Sequence, residues 1–136
     1  MRRRDNPRAV IGRAKRGVTF DTGVLIALER RHAGALALLR ACRLSRASIT
    51  IPATVVAEWW RGAHRALLEC GSLESLTPAL AQQAGELLAK TKGANAVDAT
   101  VVVSAAQRGD IVVTVDGGDL RALARSLGNV SVEDLR

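Results

Sequence analysis

Short apolar runs alternate with amphipathic stretches along most of the chain. The first run, residues 17–20, stops at Asp21, and residues 22–30 then place apolar side chains at helical spacing. Two later runs, at 48–51 and 111–115, are rich in β-branched residues and predict buried strands. The pattern therefore predicts strands that are separated by helices.

Helices between these strands are predicted from leucine spacing and from helix-start residues. Residues 32–45 carry leucines at helical spacing, and another helix is predicted over 53–61, with more helical sequence after it. Thr77 followed by Pro78 is typical of an N-cap and a first helical position. Apolar periodicity extends that helix to Lys90.

Residues 96–108 are ambiguous, because the valines at 101–103 are also typical of a buried strand. The length of the run between Gly93 and Gly109 suits a helix, and Asn95 stands where its N-cap would be. We therefore predict a helix there.

The rest of the chain continues the alternation. A weak strand is predicted over 71–76, a helix capped by Asp119 that extends to about Leu127, and a last strand over 129–132. Alternating strands and helices are typical of an α/β fold with a parallel sheet, and right-handed crossovers would leave helices on both faces.

The net charge of +7 is concentrated at the N-terminus. Residues 1–16 hold seven basic residues against one acid, whereas 17–136 are almost neutral. We predict a basic arm over 1–16, either disordered or an extension from a misassigned start site, and a single domain over 17–136. An arm that contacts phosphates is the alternative.

The composition limits the classes of protein to which the chain can belong. With 48% hydrophobic and 24% charged residues, the chain is predicted to be globular rather than disordered. We find no signal peptide and no membrane span, and expect Cys42 and Cys70 to be reduced thiols in a cytoplasmic protein. Phe20, Trp59 and Trp60 are the only aromatic residues, which argues against base stacking as the means of holding nucleic acid. The two tryptophans are predicted to serve packing or a dimer interface.

Four acids stand at positions where side chains often converge in an α/β fold. Asp21 and Asp116 directly follow predicted strands, Asp98 lies three residues after Asn95, and Glu58 lies in mid-helix. Each also has a structural alternative when taken singly. Either strand-end aspartate could be an N-cap, Asp98 could favour a helix N-terminus, and Glu58 could lie on a solvated face.

Taken together, the four carboxylates would repel one another unless a cation compensates their charge. Carboxylate oxygens suit Mg²⁺ or Mn²⁺ rather than zinc, which prefers His and Cys ligands. Because Mg²⁺ commonly binds phosphate groups, the implied chemistry is metal-assisted phosphodiester hydrolysis.

Four segments resemble the signature of the PIN-domain family. They are FDTGVLIALER around Asp21, PATVVAEWWRG around Glu58, NAVDATVVVSA around Asp98 and VTVDGGDL around Asp116. The intervening ALAQQAGELLAKTKG is similar to the corresponding stretch of VapC toxins, so the resemblance covers about 17–132.

The resemblance implies a three-layer fold with a mainly parallel, five-stranded sheet. It also implies a Mg²⁺- or Mn²⁺-dependent endoribonuclease that cleaves tRNA or ribosomal RNA. Such a protein would be the toxin of a type II toxin–antitoxin module, inhibited by a cognate antitoxin that docks near the acidic site. A homodimer is expected on the same basis.

By the same resemblance the four acids are the catalytic residues. Asp21 and Asp98 match the strongest metal ligands and Asp116 matches the fourth acid, also taken as a ligand. Glu58 matches a helix-borne glutamate that assists metal binding or orients water.

Flanking residues also match the family pattern, with two departures. Thr22 and Thr114 match hydroxyl positions beside the site, and Asp119 matches an acid three residues after the fourth. The Gly117-Gly118 pair replaces a more usual proline-containing turn, and the arm has no counterpart. Translation could instead start at Val18.

Three alternatives compete with this interpretation, and the sequence disfavours the first two. Receiver domains pair two acids at the first strand and use a lysine at the last, but only Asp21 follows the first strand and no lysine occurs after Lys92. Dehalogenase-like phosphatases need an acid where Gly23 stands. A PIN fold used only for binding is the third. Arg61 and Arg65 are candidate phosphate contacts, or else a solvated helix end.

Overall fold

A parallel β-sheet organises the chain. The structure is a computed structural model that describes residues 16–62 and 64–136, so the predicted arm, apart from Arg16, lies outside the described residues. The described part contains five strands, all paired in parallel in the order β3-β2-β1-β4-β5. They are β1 at Val18–Phe20, β2 at Ile49–Pro52, β3 at Ser72–Glu74, β4 at Ile111–Thr114 and β5 at Ser131–Asp134.

Six α-helices connect the strands in the described residues. They are α1 at Thr22–Glu29, α2 at Ala33–Ser45, α3 at Ala53–Trp59, α4 at Pro78–Lys90, α5 at Ala96–Arg108 and α6 at Gly118–Leu127. A 3₁₀ helix at Arg65–Cys70 lies between α3 and β3. No helix in these ranges is both long enough and apolar enough to cross a membrane.

The strand order reverses direction between β1 and β4. From β1 the chain steps outward through β2 to β3, then crosses the sheet to β4 and steps the other way to β5. With right-handed crossovers, α1 to α3 cover one face and α4 to α6 cover the other. Helices α4, α5 and α6 pack on one another, and α1 packs on α2 and α3. The predicted three-layer α/β fold is confirmed.

Helix α5 resolves the ambiguity over residues 96–108 as predicted. The side-chain oxygen of Asn95 accepts a hydrogen bond from the Asp98 amide at 2.8 Å and caps the helix, and Gly109 ends it at φ +72°. The valines at 101–103 are buried because α5 lies between the sheet and helices α4 and α6. A helix covered on several sides is apolar all round, which explains its strand-like composition.

Several predicted boundaries were wrong. The helix predicted over 53–61 ends at Trp59, and the sequence that follows forms a 3₁₀ helix after His64, whose φ is +58°. The last strand is 131–134 rather than 129–132. Gly128 ends α6 in the left-handed region, so the chain needs two more residues before it can join the sheet. The second half of β5 is acidic, which is tolerated because β5 is an edge strand.

Two further expectations concern helix starts and thiols. Asp119 does not cap α6, because Gly117 is the N-cap and Asp119 lies in the first turn.

Cys42 and Cys70 are both free, and Cys42 is buried.

A partly buried polar network joins α5 to the sheet. The Arg108 guanidinium donates to Asp110 at 3.0 Å and to the Thr19 hydroxyl at 2.8 Å, and it also pairs with Glu74. Thr19 donates to Asp110 at 2.9 Å, and Asp110 is only 5% exposed. The carboxylate of Asp110 therefore depends on Arg108 for its compensating charge.

We expect Arg108→Met to lower the free energy of unfolding by about 2–3 kcal/mol, because it leaves a buried carboxylate without its cation. Urea denaturation measures the change. Arg40→Met, on the exposed side of α2, is the matched control and should shift stability by less than about 0.5 kcal/mol. Adding Asp110→Asn to Arg108→Met should recover part of the loss, and equal effects of Arg108→Met and the control would contradict this role.

Candidate active site

Asp21 lies at the point where the strand order reverses. It directly follows β1 and caps α1, because its Oδ1 accepts a hydrogen bond from the Val24 amide at 2.9 Å. Its Oδ2 accepts from the Thr114 hydroxyl, at the end of neighbouring β4, at 2.6 Å. The N-cap role that the sequence allowed is therefore real, but it engages only one of the two carboxylate oxygens in this way.

The Asp21 carboxyl is unusually hard to ionise. The residue is 7% exposed, and burial raises its pKa to about 6 against the lowering effect of the hydrogen bonds from Thr114 and Val24. The negative charges of Asp98 and Glu58 raise it further. The fold thus keeps a buried acid near two others.

Asp98 approaches the same place from α5. It is half-buried in the first turn, and burial raises its pKa to about 6. Glu58, Asp119 and Asp116, in decreasing order, add to the shift through their charge. The four acids predicted from sequence are therefore brought to one edge of the sheet, and Asp119 joins them.

Glu58 lies on the exposed side of α3, as its structural alternative required. Its Oε1 nevertheless accepts a hydrogen bond from the Thr22 hydroxyl, at the start of α1, at 2.5 Å. The hydroxyl next to Asp21 in sequence therefore orients Glu58 toward the acidic cluster, which we define as Asp21, Glu58, Asp98 and Asp116.

Asp116 is exposed just beyond β4 and is not an N-cap, since Gly117 occupies that position. Its backbone amide donates to the Thr114 hydroxyl at 3.0 Å. Thr114 is fully buried, and this one hydroxyl donates to Asp21 and accepts from Asp116. It links the ends of β1 and β4.

Sequence reasoning missed Asp134, at the end of β5. Its Oδ2 accepts a hydrogen bond from the Gly117 amide at 3.2 Å, and it pairs with Arg136 at 3.0 Å and with Arg121 at 3.9 Å. Although burial opposes the effect, hydrogen bonds from Arg136 and Gly117 lower the pKa of Asp134. Placing the last strand two residues too early hid it, because the strand-end rule that found Asp21 would also have found Asp134.

Arg61 and Arg65 lie on the surface after α3. The Arg61 guanidinium donates to the backbone oxygen of Trp60 at 2.7 Å, as expected for a solvated helix end. Trp59 is 7% exposed and meets Trp60 edge-on at 5.9 Å between ring centroids. The predicted packing role of Trp59 is therefore confirmed.

The donor chemistry of the cluster fits Mg²⁺ or Mn²⁺. All four of its side chains are carboxylates, and it contains no His or Cys, the donors that zinc prefers. In the described ranges, however, no three His, Cys, Asp or Glu side chains are arranged so that they could hold an ion together. Mg²⁺ does not require three, because it often binds through one or two carboxylates and keeps several waters. Asp21 and Asp98 meet that requirement.

Fold and cluster together define an α/β protein that gathers carboxylates at the switch point of a parallel sheet. The profile of the PIN domain family matches residues 18–126. The chain therefore belongs to the PIN-domain family. A comparison with curated proteins gives no match.

Solved structures share this fold. A toxin–antitoxin complex from Klebsiella pneumoniae is similar at TM-score 0.67 and 19% identity, over 84% of this chain and 95% of that one. DNA-bound VapBC from Salmonella typhimurium is similar at TM-score 0.70 and 14% identity, over 89% and 99%. VapC20 of Mycobacterium tuberculosis, a sarcin–ricin-loop-cleaving toxin, is similar at TM-score 0.57 and 24% identity, over 86% and 99%.

The raised pKa of Asp21 predicts how stability depends on pH. Because the pKa of this carboxyl rises from 3.8 to about 6 on folding, the folded state binds its proton more tightly than the unfolded state does. The carboxyl therefore favours the folded state most below about pH 4. That contribution is lost as the pH rises through 6. For the metal-free protein we therefore expect the free energy of unfolding to fall between about pH 4 and pH 7, with Asp98 adding to the trend.

Urea denaturation across this pH range, in chelator, measures the effect. Asp21→Asn keeps an oxygen that can accept from Val24 and removes the buried charge, so it should stabilise the protein at pH 7 by about 1–3 kcal/mol. Glu86→Gln, on the exposed side of α4, should leave the pH profile unchanged. An Asp21→Asn protein that keeps the full pH slope would contradict the assignment.

Proposed function

We propose that this PIN-domain protein is a metal-dependent endoribonuclease and the toxin of a type II toxin–antitoxin module, acting on tRNA or ribosomal RNA. The observation that carries the proposal is the buried Asp21 beside Asp98, two acids from different elements that are both held near a pKa of 6. Perturbed carboxyls that cluster at a strand-order reversal are typical of a functional site. The toxins named among the similar structures support the biological role.

In this proposal Asp21 and Asp98 would hold Mg²⁺ or Mn²⁺, and the negative charge of Asp116, which acts on Asp98, would stabilise the bound ion. When bound, the ion would increase the acidity of water and neutralise charge on the scissile phosphate. Thr114 positions Asp21 through its side chain and Asp116 through its backbone. Glu58, which accepts a hydrogen bond from Thr22, would position the attacking water or a metal-bound solvent molecule.

The partners follow from the same proposal. The substrate is RNA, and a cognate antitoxin binds near the acidic cluster and inhibits cleavage. We retain a homodimer and a cytoplasmic location as parts of the proposal. Family membership disfavours the receiver and dehalogenase-like alternatives, whereas a PIN fold used only for binding is separated from an enzyme by the assay below.

Cleavage of RNA should require the two perturbed acids. We expect Asp21→Asn and Asp98→Asn each to lower kcat by more than about 100-fold, because each removes a charged ligand. Changes to residues that only support the ligands typically cost about 10- to 100-fold. Chelation should abolish cleavage by the wild-type protein, and Mg²⁺ or Mn²⁺ should restore it. Cleavage of total tRNA and ribosomal RNA, followed by mapping of new 5′ ends, measures these effects.

The matched control is Glu86→Gln, an exposed carboxyl outside the cluster, which should cleave at the wild-type rate. Undiminished cleavage by Asp21→Asn or Asp98→Asn would disprove the assignment of that residue. Absence of cleavage by wild-type protein with either metal would favour the binding-only alternative.

Thr114 should act through Asp21. Thr114→Val keeps the shape of the side chain but removes a hydrogen bond that lowers the pKa of Asp21. We therefore expect kcat to fall about 10- to 100-fold and the acidic limb of the pH–rate profile to move to higher pH. Thr114→Ser should restore both properties. A rate loss without any pH shift would indicate a purely structural role.

A further inference from the structure

A groove of about 550 Å³ lies between helix α6 and the segment that leads from it into strand β5. Apolar and small residues share its lining with two arginines; the lining residues are Arg121, Ala124, Arg125, Gly128, Val130 and Val132. The groove is separate from the acidic cluster but starts beside it, because α6 begins two residues after Asp116.

Arg121 marks the end of the groove nearest the acidic cluster. Its guanidinium carbon lies 3.5 Å from the position that a Cβ on Gly117 would occupy, so the side chain folds back over the turn after Asp116. Its acidic neighbour Asp134 lies 3.9 Å away and is bound more closely by Arg136, at 3.0 Å. Arg121 is about half exposed, so its guanidinium is accessible to a ligand.

Arg125 stands one helical turn farther from the cluster, on the same side of α6, and is exposed. In the described part of the chain no ion pair involves it. Two guanidinium groups therefore line the groove in succession, leading away from the carboxylates. Such spacing suits adjacent phosphates of one nucleic-acid strand, and guanidinium groups bind phosphate in bidentate fashion.

We propose that this groove binds the backbone of the RNA strand next to the cleavage site, with Arg121 and Arg125 as phosphate contacts. The inference rests on the proposed function for the identity of the strand. Two features of the groove favour RNA as its occupant: its position beside the acidic cluster and its two arginines. The apolar floor formed by Val130 and Val132 accommodates the uncharged faces of the sugars.

Binding of a fluorescein-labelled single-stranded oligoribonucleotide, followed by anisotropy in chelator so that no cleavage occurs, tests the proposal. Arg121→Gln with Arg125→Gln should raise the Kd about tenfold and reduce the slope of log Kd against log salt by about 1.4, the value for two lost phosphate contacts on a single strand. The double lysine variant should recover most of the affinity, since lysine keeps the charge. Thermal unfolding verifies that each variant is folded.

The matched control is Arg40→Gln with Arg43→Gln, two exposed arginines on α2, which should leave the Kd within about twofold of wild type. An unchanged Kd and salt slope in the Arg121/Arg125 variant would overturn the proposal, even if the protein cleaves RNA. Loss of antitoxin inhibition with unchanged RNA binding would also overturn it and assign the groove to the protein partner. Arginine-dependent RNA binding without cleavage would support the groove while rejecting the enzymatic function.

Discussion

Burial of the Asp21 carboxyl beside other acids is the constraint on which the rest of the site depends. Ionised at neutral pH, it lacks the solvation that an exposed aspartate has and is repelled by Asp98 and Glu58. The fold offsets part of this cost with hydrogen bonds from Thr114 and Val24. Among residues 16–62 and 64–136, no cation is among the groups that shift its pKa. In the proposed function, a bound divalent ion would supply the opposite charge that this site lacks.

The parallel register determines which groups meet at this point. Phe20 pairs with Val113, so the next residues, Asp21 and Thr114, lie level at the ends of β1 and β4. A slip of one residue would turn one of these side chains to the opposite face of the sheet and break their hydrogen bond. Ile111, Val112 and Val113 of β4 hold the register, because every side chain of that strand is buried. Packing far from the acids thus controls the geometry between them.

The sequence predicted the features that depend on local pattern. Strands β1 and β4, the cap of α5 by Asn95 and the positions of the four acids follow from periodicity, from turn chemistry and from the resemblance to a known family. Features that depend on distant pairing could not be read in this way. Thr114 links two acids only because β1 and β4 are neighbours, and Asp134 was hidden because an acidic edge strand is difficult to distinguish from a polar tail. The order of the strands, unlike their presence, is a property of the whole sheet.

Charge is distributed unevenly at the site: the acidic cluster is negative, and the arginines beside it are positive. Since residues 17–136 carry almost no net charge, the described domain cannot attract a polyanion through its overall field. In the proposed function, RNA would be attracted by cations placed close to the acids, and the acids would repel a phosphate if no metal were bound. Asp134 reconciles the two requirements. It holds the turn after Asp116 through the Gly117 amide and keeps Arg136 and Arg121 on the flank of the cluster. The half-buried carboxylate of Asp134, at the end of β5, therefore couples the geometry of the acidic edge to the position of the nearest positive charges.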